Sequence, residues 1–347
     1  AMSFDGPVLT THHMALFSDF PNHNRIIFDE CVSELLYDWQ SIDLHNLLDL
    51  TNQQNLKKSF KDVPKDDIET YFDRLQDAVK KLMTTILNLE EGVVLKTPEW
   101  TVEVYDFLQA ILDSSNKINF ANFLQSDTIR VSEDSLKVEY IKKNPLPQNT
   151  EVIILSATPN VQAYESSVEG REVEVKDVSN VERKGTVVCH TSKSYSQTSI
   201  RQSSDEELKQ LTEDPVITFQ KFKEKFKNPD SKCHHHNTSG YNHLAGRDIA
   251  VVGTPHKPMQ YYSHLAHALK LSTPDEEKNL KYRIVTWKGM KFKFFTFKDK
   301  TLQRLHLQDI ENSLTQAVGR ARTLRTDAEC HVYSNFPLWF ADELTTE

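Results

Sequence analysis

The chain has 347 residues, a length typical of two or three domains. Hydrophobic residues make up only 38%, but 18 Phe, 11 Tyr and 4 Trp provide material for cores and exclude a wholly disordered chain. No apolar run approaches the roughly 20 residues of a membrane span, and the first residues lack the basic and apolar stretches of a signal peptide. The net charge of −9 excludes a uniformly basic nucleic-acid coat protein, although residues 281–330 carry eleven basic and only five acidic residues.

Two short strands are predicted near the start, at Pro7–Thr11 and Asn24–Phe28, and the second is followed by Asp29 and Glu30. A short apolar run followed by polar residues is typical of a parallel strand with functional groups at its carboxyl end. There, Asp29 could hold the water shell of a Mg²⁺ ion, and Glu30 could orient and deprotonate a water molecule that attacks a phosphate. A solvated acidic loop without chemistry is the alternative for such a pair.

Residues 51–125 are predicted to be helical. Thr97 and Pro98 have the pattern of an N-cap and a first turn, which predicts a helix through Leu112. A plain helical subdomain is favoured over a dedicated binding surface, because apolar stripes at helical spacing usually form core. The stripe that predicts one long amphipathic helix consists of Ile68, Tyr71, Phe72, Leu75, Val79, Leu82 and Ile86.

From Glu151 onward, short β-branched runs alternate with helical patterns. This alternation favours an α/β fold with a parallel sheet. The predicted strands are Val152–Leu155, Thr186–Cys189, Pro215–Phe219 and Asp248–Gly253.

A β-hairpin is predicted at Tyr282–Trp287 and Met290–Phe297, because Lys288-Gly289 between β-rich runs is a tight-turn signal. The run Lys291–Lys298 mixes basic and aromatic residues, as single-strand nucleic-acid binders do. A hairpin with one buried face explains the aromatic residues equally well, so both interpretations stay open.

The four cysteines are scattered along the chain, and no C-x-x-C pair predicts a disulfide framework or a metal clip. Their pattern favours a reducing intracellular compartment. The run Cys233–His236, with His243 nearby, invites a zinc interpretation. Four consecutive side chains cannot all converge on one tetrahedral ion, so a polar loop is favoured and zinc is not expected.

The segment Gln316–Arg322 combines two arginines with a glycine and a glutamine one turn earlier. Arg presents a planar, permanently charged fork that suits phosphate oxygens, so the segment is a candidate phosphate clamp. A surface helix with ordinary charges is the alternative. On one continuous helix, Arg322 would point roughly 200° away from Arg320, which predicts different roles for the two residues.

Three of these segments together resemble motifs of the superfamily 2 helicases. Asp29-Glu30 resembles motif II, Ser156-Ala157-Thr158 resembles motif III, and Gln316–Arg322 resembles motif VI, all in the expected order. Val8–His12 resembles the segment upstream of motif II that touches nucleic acid, and Pro215–Phe219 resembles motif IV.

Motif V narrows the resemblance to the XPD/DinG branch of that family. Residues 239–242 and 246–255 are similar to its motif V, although the branch usually has Gly-Ile-Asp where this chain has Gly240-Tyr241-Asn242. The 126 residues between Glu30 and Ser156 leave room for the helical arch of that branch.

The resemblance implies an α/β fold of two RecA-like domains with parallel sheets. Residues 1–40 and 126–165 would form the first domain, without the strand that carries the P-loop. Residues 41–125 would be a helical insertion, and residues 166–347 would form the second, C-terminal helicase domain.

The resemblance also implies a nucleic-acid-dependent ATPase that couples ATP hydrolysis to strand separation, with DNA favoured over RNA. ATP and Mg²⁺ would be the cofactors, and no iron–sulfur cluster is expected because four clustered cysteines are lacking. One of the two arginines would be an arginine finger and the other a brace, without indication of which. The implied site residues are Asp29, Glu30, Arg320 and Arg322 for catalysis; Asp29 for Mg²⁺ through water; Asp29, Gln316, Gly319, Arg320 and Arg322 for the nucleotide; Ser156, Ala157 and Thr158 for coupling; and Thr11, His12, Thr218, Ser239 and Gly240 for nucleic acid.

No Walker A sequence, G-x-x-x-x-G-K-[ST], occurs anywhere in the chain. We expect either a fragment that starts after the P-loop, with little or no ATPase activity alone, or a degenerate helicase fold that binds nucleic acid without a nucleotide. Expected partners are nucleic acid, other replication proteins and an upstream part of the same chain, but no membrane. The expected setting is phage or mobile-element replication in the bacterial cytoplasm.

Overall fold

The computed structural model describes residues 8–17, 23–43, 126–131, 137–168, 170–177, 181–238, 240–273 and 279–346, with shorter stretches between 73 and 123. The chain divides into two compact units. The first unit comprises Ala1–Leu155, Asn160–Val173 and Ser263–Ser272, and the second comprises Ser156–Pro159, Glu174–Tyr262 and Thr273–Glu347. Among the described residues, no helix is long and apolar enough to cross a membrane.

The first unit contains a two-stranded parallel sheet that ends at the acidic pair. Strand β1 (Arg25–Phe28) pairs with β6 (Glu151–Ile154), so the predicted parallel pairing at this point is confirmed. Phe28 is fully buried, whereas Ile27 is 57% exposed, so β1 is covered on one side only in the described residues. The described helices of this unit include α1 (His12–Phe17), α2 (Ser33–Leu36) and α3 (Val161–Ser167).

The strand predicted at Pro7–Thr11 is wrong for the described residues 8–11. They have no regular structure, and α1 begins at His12 instead. The Thr11 hydroxyl accepts a hydrogen bond from Met14 N at 3.2 Å, and Ala15 N donates to Thr11 O. Thr11 therefore caps a helix, a role that Thr fills readily because its side chain satisfies an unpaired backbone amide.

A four-stranded antiparallel sheet also belongs to the first unit. Its strands are β2 (Tyr37–Asp43), β3 (Val94–Lys96), β4 (Thr128–Val131) and β5 (Lys137–Lys143), in the spatial order β2-β5-β4-β3. The helical prediction for residues 51–125 is wrong for Val94–Lys96, because this segment completes the sheet through tertiary pairing with β4. The predicted apolar stripe and the predicted helix through Leu112 lie outside the described residues, while described residues between Asp73 and Thr84 are helical.

The second unit is built on a five-stranded, all-parallel sheet. Its strands are β7 (Thr186–His190), β8 (Val216–Ile217), β9 (Ile249–Val252), β12 (Glu329–Tyr333) and β13 (Glu343–Thr345). Their spatial order is β13-β7-β12-β9-β8. Every residue of β9 is buried, as expected of a parallel strand with both faces covered. The predicted mixed α/β fold with parallel sheets is therefore confirmed.

Helices and a hairpin complete the second unit. Helices α4 (Gln197–Gln202) and α5 (Asp205–Lys209) are short, α6 (Met259–Ala268) begins in this unit, and α7 (Lys300–Val318) is the longest described helix. Strands β10 (Lys281–Trp287) and β11 (Met290–Thr296) form the predicted hairpin, whose turn residues Lys288 and Gly289 both have positive φ. The buried face of α7 joins the core of the sheet through Leu307, Ile310, Leu314 and Ala317.

Candidate functional site

The acidic pair Asp29-Glu30 lies directly after β1. The Asp29 side chain is 82% exposed, and His12 Nε2 lies 2.5 Å from its Oδ1 atom. The His12 ring also packs edge-on against Phe28, which fixes its position. The structure therefore pairs a residue predicted to contact nucleic acid with the predicted Mg²⁺ ligand, and it leaves that carboxylate accessible to a hydrated ion.

The chain that follows the acidic pair is anchored by a thiol. Cys31 Sγ lies 3.1 Å from Ser33 Oγ and 3.2 Å from the Tyr164 hydroxyl of α3. Burial is the main cause that raises the pKa of Tyr164, and Cys31 adds to it, so the phenol stays protonated. The carboxyl end of β1 is thus tied to α3 within the first unit.

In the second unit, two predicted functional segments meet at Thr158. Thr158 is buried, and its amide donates to Ser156 Oγ at 3.0 Å. Its hydroxyl oxygen lies 3.4 Å from Gln316 Nε2, a residue 158 positions further along the chain. Ala157, between them, is exposed and offers no polar side chain. The predicted coupling segment and the predicted phosphate clamp are therefore in contact.

The arginine segment departs from the continuous helix that the pattern predicts. Helix α7 ends at Val318, a 3-10 turn follows at Gly319–Ala321, and Arg322 has left-handed backbone angles with φ 58°. The helical prediction is thus wrong for Arg322. Tertiary bonds explain the difference, because Gly246 N and Thr326 Oγ1 both donate to Ala321 O.

The two arginines have different surroundings. Arg320 is buried and donates from Nη1 to Tyr241 O at 3.1 Å and from Nε to Gln316 O at 3.3 Å. Arg322 is exposed and donates from Nη2 to Asn242 Oδ1 at 2.8 Å. Arg320 therefore braces the backbone, whereas the Arg322 guanidinium is accessible to an external anion.

Both arginine partners lie on a loop that is organised by Asp230. Asp230 Oδ1 accepts hydrogen bonds from the amides of Lys232 and Cys233, and Oδ2 lies 2.7 Å from His243 Nε2. Burial alone would raise the pKa of Asp230, but the bonds from Cys233 N and His243 outweigh it and lower that pKa. The sequence pattern did not indicate Asp230, although Asp is a residue type that often stabilises a turn by accepting bonds from the backbone amides that follow it.

One residue of the histidine run within this loop, His235, is part of the core. His235 is buried, and its Nε2 donates to Val252 O at 3.1 Å. Burial lowers its pKa to about 3, so it is neutral at ordinary pH. Burial, with the Asp230 carboxylate nearby, also raises the pKa of Cys233 to about 11, which argues against a thiolate nucleophile.

The predicted nucleic-acid contacts in the second unit differ in accessibility. Thr218 is fully buried, so its side chain is not accessible to nucleic acid in this structure, and its predicted role in nucleic-acid binding stays a prediction. Gly240 is exposed with φ 78°, and nothing lies near the position of an added Cβ. Ser239 lies outside the described residues.

The hairpin of β10 and β11 separates its aromatic residues by face. Phe294 is fully buried and Phe292 packs against the core. On the opposite face, Tyr282 and Phe295 are exposed with ring centroids 5.3 Å apart, and Lys293 Nζ lies 5.5 Å from the Tyr282 ring. The interpretation as a hairpin with one buried face is therefore confirmed, whereas nucleic-acid binding by the exposed face stays a prediction, with Tyr282 as a candidate that the sequence pattern missed.

No protein-family model matches this chain, and no curated protein matches it. The functional interpretation therefore depends on the residues and on the contacts within each unit. Those contacts provide an accessible carboxylate after a parallel strand, an exposed arginine on a braced turn, and an exposed basic and aromatic face. Carboxylate, arginine and stacked aromatic groups are the chemistry of nucleotide and nucleic-acid sites.

Proposed function

We propose that the chain is the core of a nucleic-acid-dependent ATPase of the helicase type, with two RecA-like domains. The observation that carries this proposal is the pair of bonds from Arg320 to Tyr241 O and from Arg322 to Asn242 Oδ1. The segments that resemble motifs V and VI are about 80 residues apart, yet these bonds join them. The five-stranded parallel sheet of the second unit supports the same proposal, because its architecture is compatible with a RecA-like domain.

In this proposal, each site residue has a separate role in phosphoryl transfer. Asp29 holds a Mg²⁺ ion through water, and Glu30 orients and deprotonates the attacking water. Arg322 is the arginine finger, because it is exposed, and Arg320 is the brace, because it is buried against Tyr241 O. Contact between Gln316 and Thr158 links this phosphate end to the coupling segment.

Nucleic acid binds, in the same proposal, to the exposed face of the hairpin and to Gly240. Lys293 neutralises phosphate, while Tyr282 and Phe295 provide a surface on which bases stack. DNA is favoured over RNA by the resemblance to the XPD/DinG branch alone.

A second function, nucleotide-independent nucleic-acid binding, is favoured by one observation. The chain contains no Walker A sequence, which normally cradles the phosphates of ATP. The two functions share the hairpin surface and differ in ATP turnover. A chain that carries a Walker A segment upstream separates them: DNA-stimulated hydrolysis supports the ATPase, and its absence supports the binding module.

The nucleic-acid part is tested with the present chain by fluorescence anisotropy of labelled single-stranded DNA at several salt concentrations. Log affinity should fall linearly with log salt, by about 0.7 per neutralised phosphate. Tyr282→Ala should weaken binding by roughly 1–3 kcal/mol, the usual value of one stacked base. Leu344→Ala is the matched control, because Leu344 is also exposed but lies on β13. Salt-independent affinity, or equal binding by the two variants, would overturn the hairpin assignment.

A further inference from the structure

Three different metal-binding side chains converge on the loop that follows β8. The carboxylate of Asp230, the thiol of Cys233 and the imidazole of His243 each place one ligand atom so that all three lie within 4.8 Å of one another. Two of the residues are almost completely buried, Asp230 at 8% and Cys233 at 0% exposure. The His243 side chain remains 31% exposed, so solvent can reach the cluster from its side.

The backbone around the cluster is held by independent hydrogen bonds. Asp230 N donates to Val216 O of β8, and the Cys233 amide donates to Asp230 Oδ1 at 2.5 Å. The amides of Lys232 and Cys233 occupy Oδ1, and Oδ2 is directed at His243. The carboxylate therefore has one oxygen committed to the loop and the other to the cluster, an arrangement that orients a ligand before an ion arrives.

The chemistry of the donors selects among metal ions. One sulfur, one imidazole nitrogen and one carboxylate oxygen suit a borderline-soft ion such as Zn²⁺, whereas Mg²⁺ and Ca²⁺ prefer oxygen ligands alone. Ligands about 2.0–2.2 Å from a tetrahedral ion are about 3.3–3.6 Å apart. Asp230 Oδ2 and His243 Nε2 lie 2.7 Å apart, so the partly exposed His243 ring would move outward by about 0.6–0.9 Å to admit an ion between these two atoms.

We propose that Asp230, Cys233 and His243 form a Zn²⁺ site with three protein ligands, in which water or an external ligand takes the fourth position. Zinc binds Cys233 as the thiolate and releases the thiol proton to solvent. The site clamps the two ends of the 230–243 loop, next to Tyr241 and Asn242, which accept the bonds from the two arginines. The ion would therefore stabilise the turn that presents Arg322. This inference does not depend on the proposed ATPase activity.

The test measures metal content and affinity in the full chain after removal of any affinity tag. Purified wild-type protein, dialysed against metal-free buffer and reloaded, should hold one Zn²⁺ per chain by mass spectrometry of the metal. Cobalt substitution should give a thiolate-to-cobalt charge-transfer band, which reports Cys233 as a ligand. Zinc should also raise the thermal midpoint of the wild-type protein, because an ion that binds only the folded state stabilises it.

Variants identify the ligands. Loss of an outer-shell partner typically lowers metal affinity by about 10–100-fold. His243→Gln removes a direct ligand and should lower zinc affinity by more than that. Cys233→Ser should abolish the charge-transfer band. His236→Gln tests the neighbouring histidine run, and Cys31→Ser is the matched control thiol; both should bind zinc as the wild type does. Because His243 is partly exposed, its variant stays informative if Cys233→Ser fails to fold. Absence of bound zinc, equal affinity of His243→Gln, or loss of binding in His236→Gln would overturn the proposal.

Discussion

Two regions differ in how much the surrounding structure fixes their side chains: the acidic pair Asp29-Glu30 at the end of β1, and the turn Gly319–Arg322 after α7, called here the arginine turn. Asp29 is 82% exposed, lies after a strand covered on one side, and is contacted by His12. Arg320 is buried and braced by two backbone carbonyls, in a unit with a five-stranded sheet. An open carboxylate can exchange ligands without disturbing the fold, whereas the arginine turn is held by bonds to backbone carbonyls.

This difference predicts how substitutions behave in the two regions. Changes at the acidic end should alter chemistry and leave stability nearly unchanged, because exposed side chains contribute little to folding. Changes within the arginine turn and its supporting loop should alter stability as well, because they remove bonds to buried backbone groups.

Arg322→Lys should have the largest effect, in a chain that carries a Walker A segment upstream. An arginine finger contributes about 10³–10⁵ in rate, and Lys cannot reproduce its planar fork. We therefore expect DNA-stimulated hydrolysis to fall by that order, while DNA binding without ATP survives. Steady-state ATPase and anisotropy measurements check this, with the neighbouring exposed Arg325→Lys as the control. Normal hydrolysis by Arg322→Lys would show that Arg322 is not the finger.

Glu30→Gln should follow, in the same complete chain. Loss of a general base typically costs about 10²–10⁴ in rate, whereas Gln preserves the shape of the side chain. Hydrolysis should fall by that factor with ATP affinity and thermal midpoint nearly unchanged, as measured by single-turnover kinetics and calorimetry. Glu34→Gln, an exposed acid on α2, should keep full activity. Parallel loss of ATP affinity and turnover would indicate a structural role for Glu30.

Gly253→Ala should destabilise the second unit by about 2–6 kcal/mol, the sum of about 1–3 kcal/mol each for left-handed strain and overpacking. Gly253 has φ 130°, and an added Cβ would lie 2.7 Å from the Phe219 ring and 2.9 Å from His235 Nε2. Gly289→Ala is the matched control, since Gly289 also has positive φ but nothing lies near its added Cβ. Denaturant unfolding should give the larger loss for Gly253→Ala; equal losses would mean that close packing does not matter there.

Acidification should produce the smallest effect per group, on the order of 2 kcal/mol for each buried imidazole between pH 7 and pH 5. His256 Nδ1 and His306 Nε2 lie 2.9 Å apart in the second unit, and burial lowers the pKa of His256 to about 4 and that of His306 well below its usual value. Unfolded imidazoles take up protons below about pH 6.5, whereas the folded ones stay neutral, so stability falls as pH drops through this range. Denaturant titrations at the two pH values measure the loss, and unchanged stability would contradict it.

The sequence patterns predict elements better than they predict partners. The strand before Asp29-Glu30, the hairpin turn at Lys288-Gly289 and the parallel strands of the second unit follow from apolar runs and turn chemistry. The helix cap at Thr11 could not be predicted in this way. Its β-branched neighbours favour a strand, and only the helix that begins at His12 shows that Thr11 is a cap.

Tertiary contacts account for the remaining differences. Helical periodicity extends past Val318 in the sequence, but the α-helix ends at Val318. Ala321 O accepts bonds from Gly246 N and Thr326 Oγ1 instead of continuing the helix, and Arg322 takes left-handed backbone angles. The sequence indicates Cys233–His236 and His243 as nearby metal-binding residue types, but no pattern in it indicates Asp230. Asp230 and His243 meet Cys233 because the loop folds back, and no local pattern contains that information.

Because Arg322 has a left-handed backbone, selection for stability and selection for a positively charged side chain favour different residues at this position. Such a conformation costs an L-residue about 1–2 kcal/mol, and glycine would avoid that cost. A library selected for thermal stability alone should therefore enrich Gly at position 322, whereas selection for function should retain Arg. In directed evolution, the residue found at position 322 would show whether lower backbone strain or an exposed guanidinium contributes more to survival under that selection.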